Sequence, residues 1–129
     1  IAGRAWRVKS GLLTSMYRDE HIWPPHEPMM GDVNGSDALH QIRTGVHAFK
    51  TEKAALEYAS TTQMAIYYNG STPPLFVVGR VKLWGEVIEH ERGYRAEYAK
   101  VYSLDVALGV DDQMLQWLRA LYVNGSPQG

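Results

Sequence analysis

The sequence contains no cysteine. That excludes disulfides, thiolate metal sites and a cysteine nucleophile, and it is compatible with a reducing cytoplasm, where the chain is expected. Nor is there a charge excess: thirteen basic residues face fourteen acidic ones, a formal net charge of −1. This speaks against a nucleic-acid partner, because phosphate neutralisation supplies most of that affinity. No apolar run approaches the ~18–20 residues of a membrane span, so no membrane partner is expected. Ile1-Ala2-Gly3-Arg4 lacks the apolar core of a signal peptide, and with no Met in first place the start reads as trimmed or processed. No glycine-rich phosphate loop is present, since Gly31-Asp32-Val33-Asn34-Gly35 is short of glycines and leads into no convincing helix. No nucleophile elbow is visible either, and no motif names a cofactor.

What is present is one domain's worth of chain. At 129 residues, 45% hydrophobic and 21% charged, it can bury roughly two-thirds of its unfolded surface without a staple. Residues 1–125 are expected to form a single domain, with 126–129 as a tail. Ala2 to Val8 reads as a short strand ended by Gly11. Leu12 to Met30 has no clean period, and Pro24, Pro25 and Pro28 forbid a helix there, which leaves a long loop anchored by Trp23. Asn34-Gly35 marks a turn. Val46 to Phe49 reads as a strand. Thr51 can cap a helix from Lys53 to about Gln63, where Ala55, Leu56, Tyr58 and Ala59 form the apolar side.

Leu75 to Glu91 carries the strongest strand pattern. Leu75, Val77, Val81, Leu83 and Val87 alternate with Arg80, Lys82, Glu86 and His90. Gly79 and Gly85 interrupt the apolar face, so a bend or bulge is expected near one of them. Tyr94 to Leu104 reads as the return strand. Asp111 or Asp112 caps a last helix, with Met114, Trp117, Leu118 and Leu121 as its apolar stripe. The hairpin requires antiparallel pairing, and the fold class is therefore α+β, an antiparallel or mixed sheet with helices packed on it.

The hairpin also holds the densest chemistry. With Glu91-Arg92-Gly93 as its loop and Gly93 in the left-handed position, Glu89 faces Arg95 and Glu97 faces Val87, a carboxylate–guanidinium–carboxylate row on one face. A two-residue loop at Arg92-Gly93 would instead set His90 against Arg95. Tyr94, Tyr98 and Tyr102 fall on the side of Trp84 and His90, a stripe that can stack on a ligand or line a core. His21 and His26 flank Trp23-Pro24-Pro25, a spacing with no specificity for zinc, and no metal site is expected. The candidate binding residues are Arg7, Trp23, His47, Glu89, Arg95 and Glu97. Together they suggest a non-enzymatic module for a small molecule or protein partner.

Two resemblances add to this reading. Trp84-Gly85-Glu86-Val87, Glu89-His90-Glu91 and Gly93-Tyr94-Arg95-Ala96-Glu97-Tyr98-Ala99 resemble the hallmark of a small bacterial domain family without established function. Its members share a Trp-Arg-Val start, a Trp-Pro-Pro loop and a Gly45-Val46-His47-Ala48-Phe49 strand before an Ala-rich helix. Such families carry cysteines in the long loop, which this chain lacks, so no metal role carries over. More distantly, the layout is similar to ADP-ribosyltransferase-like domains. That resemblance implies a nucleotide-dependent transferase or hydrolase, with Arg4 or Arg7 on the first strand, His47 and Phe49 on the second, and Glu97 as the late catalytic carboxylate. The Ser-Thr-Ser or His-Gly-Thr triplet of that group is absent.

Overall fold

The chain turns back on itself within its first fourteen residues. The computed structural model describes residues 1–15, 22–31, 36–37, 42–43, 45–70 and 74–123. Strand β1 (Ala2–Lys9) pairs with β2 (Leu12–Thr14) across Ser10 and Gly11, at φ 54° and 75°. Two successive left-handed residues form the tight turn whose twist matches a hairpin. Gly11 therefore joins two strands rather than ending one, and the expected loop from Leu12 begins as a strand. The further strands are β3 (Met29–Met30), β4 (Ser36–Asp37), β5 (Ile42–Arg43) and β6 (Val46–Phe49). Helix α1 (Glu52–Tyr68) follows, then β7 (Phe76–His90), β8 (Gly93–Leu108) and helix α2 (Asp112–Tyr122). The expectations at His21 and Asn34-Gly35 and for the tail 126–129 lie outside the described residues.

The pairings close a ring. β1 pairs with β7, β7 with β8, β8 with β6, and β6 returns to β1 through Gly3 and Phe49, all antiparallel. β2 and β3 extend this sheet, while β4 and β5 form a separate short ladder. To bend round, the long β7–β8 hairpin breaks register at Val78/Gly79, Arg80/Val81 and Trp84/Val87. Bulges of this kind increase strand twist and curvature. The fold class is α+β.

The ring encloses one face of each strand. Along β1, Ala2, Trp6 and Val8 point inward with Arg4 between them, and they meet Val77, Val81, Val46, Ala48, Val101 and Leu104. Leu115, Leu118 and Tyr122 of α2 close this core. The buried stripe of α2 runs through 115, 118 and 122, with Met114 and Leu121 packed partly against it, so of the expected 114, 117, 118 and 121 only Trp117 leaves the core. Trp117 stays half in water, and its indole donates to the Gly11 carbonyl at 3.2 Å, clamping the β1–β2 turn. Asp111 caps the helix through Met114 N–H at 2.8 Å.

α1 packs on the outer face. Thr51 caps it by accepting from Ala54 N–H at 3.1 Å. Ala55 and Ala59, fully buried, lie against Ala5, Phe76 and Val78. Small side chains let the helix approach closely, and a Cβ on Gly3 would come within 2.1 Å of the Thr51 carbonyl oxygen. The helix outruns its expected end by about a turn. Gln63 amide donors reach the Pro74 and Leu108 carbonyls at 3.0 and 3.1 Å, tying that last stretch to the hairpin base. No described helix is long and apolar enough to cross a membrane.

Candidate functional site

One edge of β1 is incompletely paired. Gly3 meets Phe49 of β6, and Arg7 meets Thr14 of β2, but among the described residues the stretch from Arg4 to Trp6 has no ladder partner on that side. Arg4 bridges this gap from within. One terminal nitrogen of its guanidinium donates to the His47 carbonyl on β6, and the other to the Ser15 hydroxyl just beyond β2 at 3.3 Å. Its guanidinium carbon lies 5.0 Å from the ring centre of Trp23. Burial pulls the Arg4 guanidinium down to about 10, so it remains a cation at neutral pH.

Trp23 is buried, as its place before the two prolines suggested. Its N–H donates to the Leu13 carbonyl at 2.8 Å, and its carbonyl accepts from the Tyr122 hydroxyl at 2.7 Å. The same hydroxyl accepts from Leu13 N–H at 3.1 Å, and burial raises its pKa. Trp23 meets Trp6 edge-on, ring centres 5.4 Å apart. Among the described residues, three buried donors in these touching side chains have no acceptor: Arg4 Nε–H, Trp6 Nε1–H and Trp23 Nε1–H. All three groups are donors only, so no flip or tautomer lets one satisfy another. An unmet buried donor costs about 1–3 kcal/mol. The cluster is thus short of acceptors.

The six candidate residues separate in space. Trp23 lies in this cluster, and exposed His47 lends it a carbonyl. Arg95 is buried on β8, opposite His47 on one side and Ile88 on the other. Arg7 alternates to the opposite side of β1 from Arg4. Glu89 is exposed and ion-paired with Lys50, which also lies over Tyr94. Glu97 sits at the Trp84/Val87 bulge, against Gly85.

The hairpin register corrects the expectation. Its loop is Glu91-Arg92, with His90 opposite Gly93, so Glu89 faces Tyr94, Arg95 faces Ile88, and Val87 faces Ala96. The carboxylate–guanidinium–carboxylate row is not formed. Gly93 has no left-handed backbone. It is required because a Cβ there would lie 1.9 Å from the Ala48 carbonyl oxygen. Trp84 and Tyr98 do pair, stacked at 5.7 Å, with Met30 on the other side of Tyr98.

A second cluster was not anticipated. Arg80 donates to the Ser103 hydroxyl at 3.1 Å, which donates to Asp105 at 2.7 Å. Arg80 also lies 3.8 Å from Glu52 and 3.6 Å from Asp105. Hydrogen bonding to Asp105, with desolvation and repulsion, pushes the Glu52 carboxyl up to about 7 against the pull of Arg80. Desolvation alone would raise Asp105, but bonds from Glu52 and Ser103 and the charge of Arg80 hold it below its ordinary value. The sequence signal was available in part: Thr51 as cap places Glu52 in the first turn. Gly79 signalled the bulge that leaves Asp105 unpaired, but nothing in the sequence set Asp105 beside Glu52. Among the described residues no group of three or more His, Asp or Glu is placed to hold a metal ion.

In comparison with known proteins, no family model, no curated protein and no solved structure matches this chain.

Proposed function

We propose that the protein is a non-enzymatic binding module whose ligand enters between β1, the Trp23 segment and the hairpin. The observation that carries this reading is the trio of acceptor-less donors on Arg4, Trp6 and Trp23. A fold that only had to be stable would fill that place with apolar side chains, since a buried cation is seldom a net gain. The hairpin supplies the outer surface, where the stacked Trp84 and Tyr98 lie beside Glu97 and the exposed Met30.

A thermal-shift panel of organic acids, nucleotides and divalent metals tests the reading, run on the wild type and on Arg4→Met. A ligand at a hundred times its dissociation constant stabilises by about 2.7 kcal/mol, a clear rise in melting temperature. The expected result is at least one compound that stabilises the wild type and not the variant. A panel that shifts neither protein, or both equally, overturns the reading.

A further inference from the structure

We propose that the Arg4–Trp6–Trp23 cluster is a site for a small organic monocarboxylate whose body is apolar or aromatic. The inference rests on the binding-module reading and adds the chemical class of the ligand. Four features select it. First, the unmet groups are all N–H donors, so the missing partner is an acceptor; an ionised carboxylate accepts through two oxygens with about four lone-pair positions and donates nothing. Second, the cluster holds a cation with no anion beside it among the described residues. Among the described residues Arg4 meets only neutral acceptors, the His47 carbonyl and the Ser15 hydroxyl. A monoanion balances it, whereas a phosphate dianion would leave a buried charge uncompensated.

Third, both terminal nitrogens of Arg4 are anchored while Nε–H is not, so the guanidinium is fixed and offers its side edge. That edge is suited to a planar carboxylate, in which two parallel N–H···O bonds can form. Fourth, the surroundings are apolar. The two indoles meet edge-on, and Ala2, Val8 and Val46 belong to the same buried cluster. They suit a hydrocarbon or aromatic body better than a sugar or a polyanion. The stretch from Arg4 to Trp6, which carries two of these donors, is also the one without a ladder partner on that side among the described residues.

The four tryptophans provide a direct readout. Protein labelled with nitrogen-15 is titrated at constant ionic strength with benzoate, acetate, benzamide and inorganic phosphate, while the four indole N–H resonances are followed. Benzoate is expected to move the Trp6 and Trp23 resonances downfield and saturably. Trp117, already bonded to Gly11, and Trp84, out on the hairpin, are expected to stay still. Arg4→Met is expected to weaken benzoate about tenfold or more, the loss typical of a charged hydrogen bond. Trp23→Phe keeps a ring and removes one donor; it decides the matter if Arg4→Met fails to fold, and weakening of benzoate is again expected. Benzamide binding as tightly as benzoate, or phosphate alone moving the two resonances, overturns the carboxylate and leaves the module standing. Trp6 and Trp23 resonances that move with none of the four probes overturn the carboxylate, and the thermal-shift panel judges the module separately.

Discussion

Trp23 ties its segment to the core. Its ring fills the core against Trp6, and both its backbone polar groups are bonded, one to Leu13 and one to Tyr122. Trp23→Ala should cost about 3–5 kcal/mol, read as a lower denaturation midpoint; an unchanged midpoint would mean the ring contributes nothing. Glu52 is the residue whose charge state matters most. Its folded carboxyl, raised to about 7, holds a proton that the unfolded chain releases near the ordinary glutamate value. The folded state therefore binds more protons between those two values, and stability falls as pH rises through that window. Its contribution is fully present below the unfolded value and gone above about 7. Asp105 acts in the opposite sense and loses its contribution as pH falls through its lowered value. In denaturant melts between about pH 5 and 8, Glu52→Gln should remove the part of the decline that this group causes, whereas curves of equal slope would dismiss the shared proton.

Among the elements, the longer strands and the helix caps were legible, whereas β2, β3 and the hairpin register were not. Alternation from Leu75 to Val87 revealed β7, while Thr51 and Asp111 marked both helix starts, because these signals are local. Register depends on what lies across the strand. Gly93 looked like a turn residue, yet it is a glycine because β6 runs over it. Likewise Trp117 fits the apolar stripe of α2 by spacing, but the core takes 115, 118 and 122, and the indole is left to hold the turn at Gly11. Arg4 was read only as a strand residue matching an enzyme layout. Its site needs β2, β6 and Trp23 from three separate segments, and no spacing in the sequence records that meeting. The bulge at Gly85 was anticipated and can be tested. Its φ is +77°, and a Cβ there would lie 2.5 Å from Glu97 Oε1 and 2.8 Å from Tyr98. Gly85→Ala should cost about 1–2 kcal/mol for the backbone alone, with more from the contact with Tyr98. Its measurement is a urea midpoint set beside that of Gly70→Ala, where the backbone is also left-handed but nothing lies within 4 Å. Equal losses would mean that the bulge is not crowded.

At the scale of the whole molecule, the ring makes β1 indispensable. It contacts β2, β6, β7 and α1. Removing residues 1–9 opens the ring, exposes Val77 and Val81 along an unpaired edge of β7, and should abolish the cooperative thermal transition in calorimetry. A truncated chain that still melts sharply would mean that the hairpin and helices suffice. The ring also fixes an order of events during synthesis. Trp6 and Arg4 leave the ribosome early, but their β7 partners, Val77 and Gly79, emerge only after the whole of α1. Until then the first strand has its small hairpin with β2 and little else to hold it, and contacts so distant along the chain form slowly. The nascent chain must therefore carry its two core tryptophans unprotected until β7 has emerged, and a bacterial or eukaryotic cell expressing it would need holdase chaperones most during that interval.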